Sequence, residues 1–352
     1  MRKQKISKKA ISMKKAKFLL IALCAIMFVQ CYCNPTVSKA ADSLTHTVYN
    51  GQVAVEFIDV ASRSNGGKAD ATLIATKSGS SIVYTLVDCG TAESSNYLLH
   101  RLSERGVKTI ESLILTHNHT DHVGGLESLL KSNIKVKNIY MNERGEEKTN
   151  KVKNIIKKYY GSNFPINSYN KMKKIVNINT GTNSSAKIKL YTCNHNFTDN
   201  MDNLNDNSLV VEVVGNNFSC ILFGDLREKG LKGFQSTYGD KLMIKNNIHT
   251  LNNTYTVVKV GHHGYRKSFT KSEIEREAEY YVSNFPASNY VFTATPDVFE
   301  NKEKLKKFTN ILNSKWTMFG WSKCWLHSST AATNSEYSTQ PVTSFGNWSC
   351  MQ

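Results

Sequence analysis

Residues 109–125 read TIESLILTHNHTDHVGG, an apolar segment that runs directly into a polar loop. The apolar part predicts a buried strand, and His117, His119, Asp121 and His122 follow where that strand ends. The first two histidines are two positions apart, so in an extended segment their side chains project to the same side. Imidazole and carboxylate groups are ligands that zinc, manganese and iron accept. The loop therefore predicts one metal ion at the first two histidines and a second at the aspartate and the last histidine.

Two other polar clusters also follow apolar strands. Asp225 follows the segment SCILF and one glycine. The segment GHHG, whose first histidine is His262, follows TVVKV. Residues at strand ends converge on one edge of a sheet, where α/β proteins place their sites. Asp225 could bridge two metal ions, and His262 could complete the second site. Two such ions polarise a substrate and activate a water near neutral pH, so Asp121 and Asp225 are predicted to be catalytic as well as metal-binding.

The pattern of apolar residues predicts one α/β domain over residues 45–327, without an internal repeat or a linker. Strands and helices are mixed along this stretch, and a Ser/Thr-rich tail follows at 328–352. The main predicted elements are strands at 47–60, 71–90, 254–260 and 315–326 and helices at 144–163, 227–236, 270–284 and 300–312.

The first forty residues have the layout of a secretory signal peptide. A basic segment precedes an uncharged apolar run from Phe18 to about Cys33, and the small-residue stretch VSKAAD follows. We expect cleavage near Ala41, which makes the mature chain secreted and leaves it without a membrane span. The alternative is a retained membrane anchor. Cleavage at that point removes nine of the 45 Lys and Arg residues and none of the 28 acidic ones, so the formal charge falls from +17 to +8.

A charge of +8 favours an anionic substrate or a cell-wall surface, although a solvated basic surface is the more common explanation for such a value. The cysteines argue against a structural zinc module, because the mature chain has an odd number of them and no CxxC pair. Cys220 lies in an apolar run and is expected in the core, whereas Cys324 and Cys350 could pair in an oxidising exterior.

The ordered motifs carry a family resemblance. HNHTDH, the later GD and the HHG resemble the signature of the metallo-β-lactamase superfamily. More narrowly, six segments between residues 50 and 300 resemble the hydrolase domain of ComEC-type competence proteins. These segments are FIDV (57–60), DATLI (70–74), VDCG (87–90), NDNSLVV (205–211), ILFGDL (221–226) and VVKVGHHG (257–264).

The resemblance implies a four-layer αββα sandwich with two divalent metal ions, most often Zn²⁺, with Mn²⁺ or Fe²⁺ as other choices. It also implies that Asp88 does not bind a metal ion itself but stabilises the position of the histidine loop. Asn207, Ser208 and His263 are the residues it suggests for substrate contact. The ligand set it implies is His117, His119, Asp121, His122, Asp225 and His262.

The sequence departs from the ComEC-type pattern in three places. A short glycine turn is replaced by the longer ASRSNGGKAD (61–70), so a loop near the site is expected to be enlarged. No counterpart of the multi-span channel is present, so the resemblance leaves open whether the protein acts in DNA uptake. A third histidine for the first metal, usual in the superfamily, is replaced by Asn207 and Ser208, and His195 is the nearest alternative.

These observations predict a secreted metal-dependent hydrolase that attacks its substrate with a metal-bound hydroxide. The preferred substrate is a phosphodiester, either a nucleic acid such as DNA or a small nucleotide. One alternative is hydrolysis of a lactone, β-lactam or thioester at the same dinuclear site. Another is a non-catalytic cell-surface or binding protein that keeps the scaffold. The sequence predicts no oligomeric state.

Overall fold

The computed structural model describes residues 53–58, 60–61, 67–169, 174–182, 184, 186–192, 204–215, 218–246, 253–264, 270–294, 308, 311–312 and 326–327. The predicted signal peptide, the Ser/Thr-rich tail, His195, Cys324 and Cys350 lie outside these residues. Most of the helix and strand predicted between 300 and 326 lie outside them too. Within the described ranges, no helix is long and apolar enough to cross a membrane.

The described strands form two mixed sheets of similar design. The first has the order β1-β2-β3-β4-β5-β6, and the second has the order β13-β12-β11-β10-β9-β8-β7. The strands are β1 Val53–Phe57, β2 Thr72–Ser78, β3 Ser81–Val87, β4 Thr109–Leu115, β5 Lys135–Asn142, β6 Ile166–Tyr169, β7 Ile175–Ile178, β8 Lys187–Tyr191, β9 Val210–Val214, β10 Ser219–Leu222, β11 Tyr255–Lys259, β12 Ala287–Phe292 and β13 Leu326–His327.

The helices lie between these strands. Gly161 follows the Lys-rich helix and Thr270 begins the last one with a capping box to Glu273, as expected for helix boundaries. The α-helices are α1 Ser95–Glu104, α2 Thr120–Val123, α3 Leu126–Lys131, α4 Glu146–Tyr160, α5 Glu228–Tyr238 and α6 Lys271–Asn284. Short 3₁₀ turns occupy Asn205–Asn207, Gly239–Lys241, Met243–Asn246 and Gly261–Gly264.

Three buried apolar clusters show how the layers stack. One joins α1, α3 and α4 to the first sheet, with Leu98, Leu129 and Ile156 among its members. The second lies between the two sheets and includes Ile114 and Val257. The third joins the second sheet to α5 and α6. Alternate residues of a strand point to opposite faces, so each sheet contributes to two clusters. The predicted αββα order is confirmed.

Both sheets place parallel strand ends at the same edge. β3, β4 and β5 are parallel neighbours, and so are β10, β11 and β12. Asp88 and Thr116 directly follow β3 and β4, while Asp225 and His263 lie shortly after β10 and β11. The carboxyl ends of parallel strands are the usual place for a site in α/β folds. Each sheet therefore delivers polar side chains to one common location.

A buried carboxylate fixes the helix-facing side of the second sheet. Glu212 on β9 is fully buried, and its oxygens accept hydrogen bonds from the hydroxyls of Tyr191 and Tyr255. The backbone N–H groups of Met243 and Ile244 also donate to it, at 2.8 and 3.0 Å. These four donors join three separate segments of the chain to one carboxylate.

We expect Glu212→Ala to lower the free energy of unfolding by about 3 kcal/mol or more, because it removes the shared acceptor of four buried donors. Urea denaturation followed by circular dichroism measures this change. Glu147→Ala is the matched control, since Glu147 is exposed, and should change stability by no more than about 0.5 kcal/mol. Equal stability of the two variants would contradict the role given to Glu212.

Candidate metal centre

Asp88 holds the histidine loop that follows β4. Its Oδ1 accepts the backbone N–H of Thr116 at 2.8 Å, and its Oδ2 accepts the Thr116 hydroxyl at 2.7 Å. The same Oδ2 lies 2.7 Å from Nδ1 of His122. This hydrogen bond directs the other ring nitrogen of His122, Nε2, towards the centre of the site. Asp88 reaches these partners from a left-handed backbone conformation with φ 60°.

Gly125 allows the loop to turn back beneath β3. A Cβ atom at this position would lie 2.3 Å from the carbonyl oxygen of Cys89, so only glycine fits. On the other side, the side-chain amide of Asn118 donates to the carbonyl oxygens of Asn142 and Arg144 and to the hydroxyl of Thr149. These bonds tie the loop to the end of β5 and the start of α4.

One set of metal-binding groups, the first group, consists of His117, His119 and Asp225. Nε2 of His117 lies 3.0 Å from Nδ1 of His119 and 3.6 Å from Oδ2 of Asp225. The potential ligand atoms of these three residues all lie within 4.8 Å of one another. Ser208 supports the group, since its hydroxyl accepts the backbone N–H of Asp225 at 3.0 Å and lies 3.4 Å from Nδ1 of His117.

A second group, formed by Asp121, His122, Asp225 and His263, uses the other oxygen of the shared aspartate. Oδ1 of Asp225 lies 3.1 Å from Nε2 of His122 and 3.4 Å from Nε2 of His263. Oδ2 of Asp121 is also 3.4 Å from Nε2 of His263. Ligands bound tetrahedrally to one zinc at about 2.0–2.1 Å are separated by about 3.3–3.4 Å, so this spacing suits one ion.

Asp70 lies beside the second group and is close enough to be considered a ligand. Its oxygens already have partners, however. Oδ2 accepts from the ammonium of Lys259, and Oδ1 lies 3.2 Å from Nδ1 of His263. Lys259 is 1% exposed and also donates to the carbonyl oxygen of Gly224 at 2.8 Å. Asp70 therefore orients His263, and Lys259 balances its charge.

Electrostatics divide the histidines of the site into two kinds. Burial, together with the charge of His122, holds the pKa of His117 well below its ordinary value, so its ring is neutral and able to bind a metal. Burial alone would also lower the pKa of His122 and His263. The carboxylates around them, chiefly that of Asp225, instead raise both pKa values. The centre of the second group therefore attracts positive charge.

The residues present fit a divalent metal ion. Nε2 of His122, Nε2 of His263 and Oδ1 of Asp225 are buried and lack a hydrogen bond of normal geometry. Buried polar atoms without partners are costly, and a cation between them satisfies all three at once. Imidazole nitrogen and carboxylate oxygen are the donor types that zinc accepts. The first group would hold one ion and the second group another, with Asp225 shared between them.

The two adjacent histidines differ from the sequence prediction, which assigned His262 to the second metal and His263 to the substrate. His263 is fully buried in the second group, whereas Nε2 of His262 lies 4.0 Å from the Oδ2 of Asp225 that faces the first group. Adjacent side chains point to opposite sides only where the backbone is extended as in a strand. Both residues instead have a left-handed backbone, with φ 54° and 55°, so alternation does not apply.

The two residues predicted to contact substrate with His263 are also buried. Asn207 and Ser208 are 1% and 0% exposed. The carbonyl oxygen of Asn207 accepts from the side-chain amide of Asn142, and Ser208 supports the first group as described above. The structure thus places both behind the ligands instead of facing an incoming substrate. The polar character of a side chain alone does not show whether it faces a substrate or lies behind the metal-binding residues.

The sequence analysis does not identify Asp70 as the partner of His263 or Lys259 as the partner of Asp70. The sequence does contain a signal for the ion pair of Lys259 and Asp70, because a lysine within an apolar strand requires a buried anion as its partner. The partner lies 189 positions away, so no local pattern could identify it.

Residues 65–183, which include β2 to β7 and the histidine loop, match the sequence profile of the metallo-beta-lactamase superfamily. No curated protein sequence matches the chain.

Solved structures with a similar course of the chain include Zn(2+)-bound PqqB from Methylobacterium extorquens, with 8% identity, TM-score 0.43 and coverage of 78% of this chain and 98% of that chain. The short form of human tRNase Z has 12% identity, TM-score 0.35 and coverage of 74% and 89%. A diphosphatase from the PhnP family has 10% identity, TM-score 0.35 and coverage of 69% and 86%. Similarity at this level carries no information about activity.

The narrower resemblance to ComEC-type proteins stays a prediction, because the matching profile describes the superfamily as a whole. The profile match spans HNHTDH, and the remaining ligands, Asp225 and His263, come from the second sheet. Residues 65–183 therefore resemble the metallo-beta-lactamase superfamily, a superfamily of metal-dependent hydrolases that also has non-catalytic members.

Proposed function

We propose that this protein hydrolyses phosphodiester bonds in a nucleic acid such as DNA, or in a nucleotide, with two divalent metal ions, most favourably zinc. The observation that supports this proposal is the shared carboxylate of Asp225. One of its oxygens faces His117 and the other faces His122 and His263. Two ions held on one carboxylate suit the in-line displacement of a phosphate ester.

When bound, such ions polarise the scissile bond and lower the pKa of a water towards about 7. The residues of the chain hold and orient the reacting groups. Asp121 is partly exposed, with a side-chain accessibility of 14%, so it can contact both the second ion and an incoming water. The remaining carboxylates of the centre, Asp70 and Asp225, are buried. Asp121 is therefore the carboxylate placed to orient the attacking water.

The basic charge of the chain supports an anionic substrate. Lys and Arg outnumber Asp and Glu by 45 to 28 in the full sequence, and the excess remains after removal of the predicted signal peptide. A net positive charge raises the local concentration of anions and their association rate. This favours a phosphodiester over a neutral lactone or thioester.

We expect the purified protein to contain about two zinc ions per chain and to hydrolyse bis(p-nitrophenyl) phosphate. Treatment with EDTA should abolish turnover, and zinc should restore it. A chromogenic β-lactam and a p-nitrophenyl thioester, assayed side by side, test the alternative substrates. Activity on the lactam or thioester alone overturns the phosphodiester proposal, and a chain that binds no metal overturns the enzymatic one.

A further inference from the structure

A carboxylate supports each imidazole of the second group from behind. Oδ2 of Asp88 lies 2.7 Å from Nδ1 of His122. Oδ1 of Asp70 lies 3.2 Å from Nδ1 of His263. All four residues are at most 4% exposed. A carboxylate at the outer nitrogen fixes the orientation of the ring and makes the inner nitrogen a more basic metal ligand. The two histidines of the second group are therefore held ready to bind a cation.

Hydroxyl groups take the place of these carboxylates in the first group. Nδ1 of His117 lies 3.2 Å from the hydroxyl of Thr116 and 3.4 Å from that of Ser208. Hydrogen bonds to a charged partner are about twice as strong as hydrogen bonds between neutral groups. The ring of His117 is therefore held less firmly, and its metal-facing nitrogen is made less basic, than a carboxylate would achieve.

The first group also has fewer ligands and lies nearer to solvent. It has three ligand residues, of which Asp225 is the one carboxylate, whereas the second group has four and includes Asp121 as well. His119 is half-buried. The side chain of His262, whose Nε2 lies 4.0 Å from Oδ2 of Asp225 on this side, is 16% exposed. An ion in the first group is thus bound by fewer charges and is closer to water than an ion in the second.

Two cations offset part of the negative charge around the second group. The ammonium group of Lys259 pairs with Asp70, and Nζ of Lys68 lies 3.3 Å from Oδ2 of Asp121. Asp70 therefore contributes mainly to the orientation of His263. The number of ligands and the orientation of the imidazoles do not depend on this charge balance, so the second group keeps the stronger ligand set.

The shared carboxylate makes the two positions compete. Oδ1 of Asp225 faces the second group and Oδ2 faces the first. Once one divalent ion has bound, the next ion meets a carboxylate whose charge is already partly neutralised, and the two like charges repel. The ion that binds first therefore weakens the binding of the other. The group with the better ligands fills first, and the remaining position has the lower affinity.

We propose that the second group holds a resident metal ion and the first group an exchangeable one, so that the supply of divalent metal decides whether the centre is complete. Each carboxylate that supports a metal-bound histidine is worth about 10- to 100-fold in metal affinity, and the second group has two of them. The two dissociation constants should therefore differ by about 100-fold or more. The inference rests on the proposed function only in assigning this control to an enzyme, since the order of binding does not depend on the substrate.

The test titrates the metal-free protein with Zn²⁺ against a chromophoric chelator, and with Co²⁺ followed by its visible absorption. His119→Ala removes a ligand from the first group alone. Asp88→Asn keeps the shape of the side chain but removes the charge behind His122. Asp240→Asn is the matched control, because it makes the same change on a fully exposed side chain that pairs with Lys245. Circular dichroism checks that each variant is folded.

We expect the wild type to bind zinc in two steps and to keep one ion per chain after dialysis against zinc-free buffer. His119→Ala should lose the weaker step and keep the tighter one. Asp88→Asn should weaken the tighter step by about 10- to 100-fold, and more than the weaker step. The control should behave as the wild type. If Asp88→Asn does not fold, the half-buried His119 still provides the decisive variant.

Two ions of equal affinity in the wild type overturn the inference. Loss of the tighter step in His119→Ala overturns it as well, because the resident ion would then lie in the first group. A folded Asp88→Asn variant in which only the weaker step changes has the same meaning.

Assays of bis(p-nitrophenyl) phosphate hydrolysis at controlled free zinc separate this inference from the proposed function. The rate should be half-maximal at the dissociation constant of the weaker step. If zinc binds in two separate steps but the diester is not cleaved, the phosphodiesterase proposal fails and the unequal affinities stand. If the diester is cleaved and both ions bind equally, the inference fails and the proposed function stands.

Discussion

Asp225→Asn is expected to reduce the bound metal from about two ions to one or fewer per chain and to lower turnover by more than about a hundredfold. Loss of a residue that merely supports a metal ligand already costs 10- to 100-fold, and Asp225 lies in both groups. Asparagine keeps the shape of the side chain but offers one neutral oxygen in place of two charged ones. It cannot present a charged oxygen both to the first group, beside His117, and to the second group, beside His122 and His263.

Metal analysis of the purified protein and the rate of diester hydrolysis test this expectation. His119→Ala is the informative companion, because it removes a ligand from the first group alone and should leave the second group able to bind. His100→Ala is the control, since His100 is an exposed residue that pairs with Glu104 on α1. Full metal content and normal turnover in Asp225→Asn would refute the shared-ligand arrangement.

Lys259→Met is expected to lower the free energy of unfolding by about 3–5 kcal/mol, the usual effect of removing one partner of a buried ion pair. Asp70 would remain 4% exposed without its cation, and burial would then favour its neutral form. Lys259 also donates to the carbonyl oxygen of Gly224, directly before Asp225. Removing it therefore loosens the turn that carries the shared ligand as well as the aspartate that orients His263.

Urea denaturation of the metal-free protein measures this loss apart from metal binding. The double variant Lys259→Met/Asp70→Asn should recover part of the stability, because neither buried charge remains. Lys232→Met is the surface control, since Lys232 is half-exposed and its ion pair with Glu228 contributes at most about 1 kcal/mol. A double variant less stable than Lys259→Met would contradict a charge-balancing role.

The sequence alone predicts the layers and much of the candidate site. The αββα order is confirmed, and the structure brings the residues that follow β4, β10 and β11 to a common edge. This part of the structure could be predicted from the sequence because the apolar pattern shows where strands end and because parallel strands place their ends together. His117 and His122 could be placed in this way without any knowledge of long-range contacts.

The remaining features depend on contacts and backbone angles that no local pattern contains. The sequence analysis assigns His262 to the metal and His263 to the substrate, but both adopt a left-handed conformation that is uncommon outside glycine. Asn207 and Ser208 are polar yet lie behind the ligands. Whether a polar side chain faces solvent or supports a buried neighbour is decided by the packing of two sheets, which the local sequence does not encode.

The candidate metal ligands are divided between the two sheets. His117, His119, Asp121 and His122 follow a strand of the first sheet, whereas Asp225 and His263 follow strands of the second. Neither half alone presents a complete ligand set, so strong metal binding requires that the interface between the sheets has closed. The candidate metal centre is accordingly incomplete while the chain is still assembling, and bound metal would favour the closed interface.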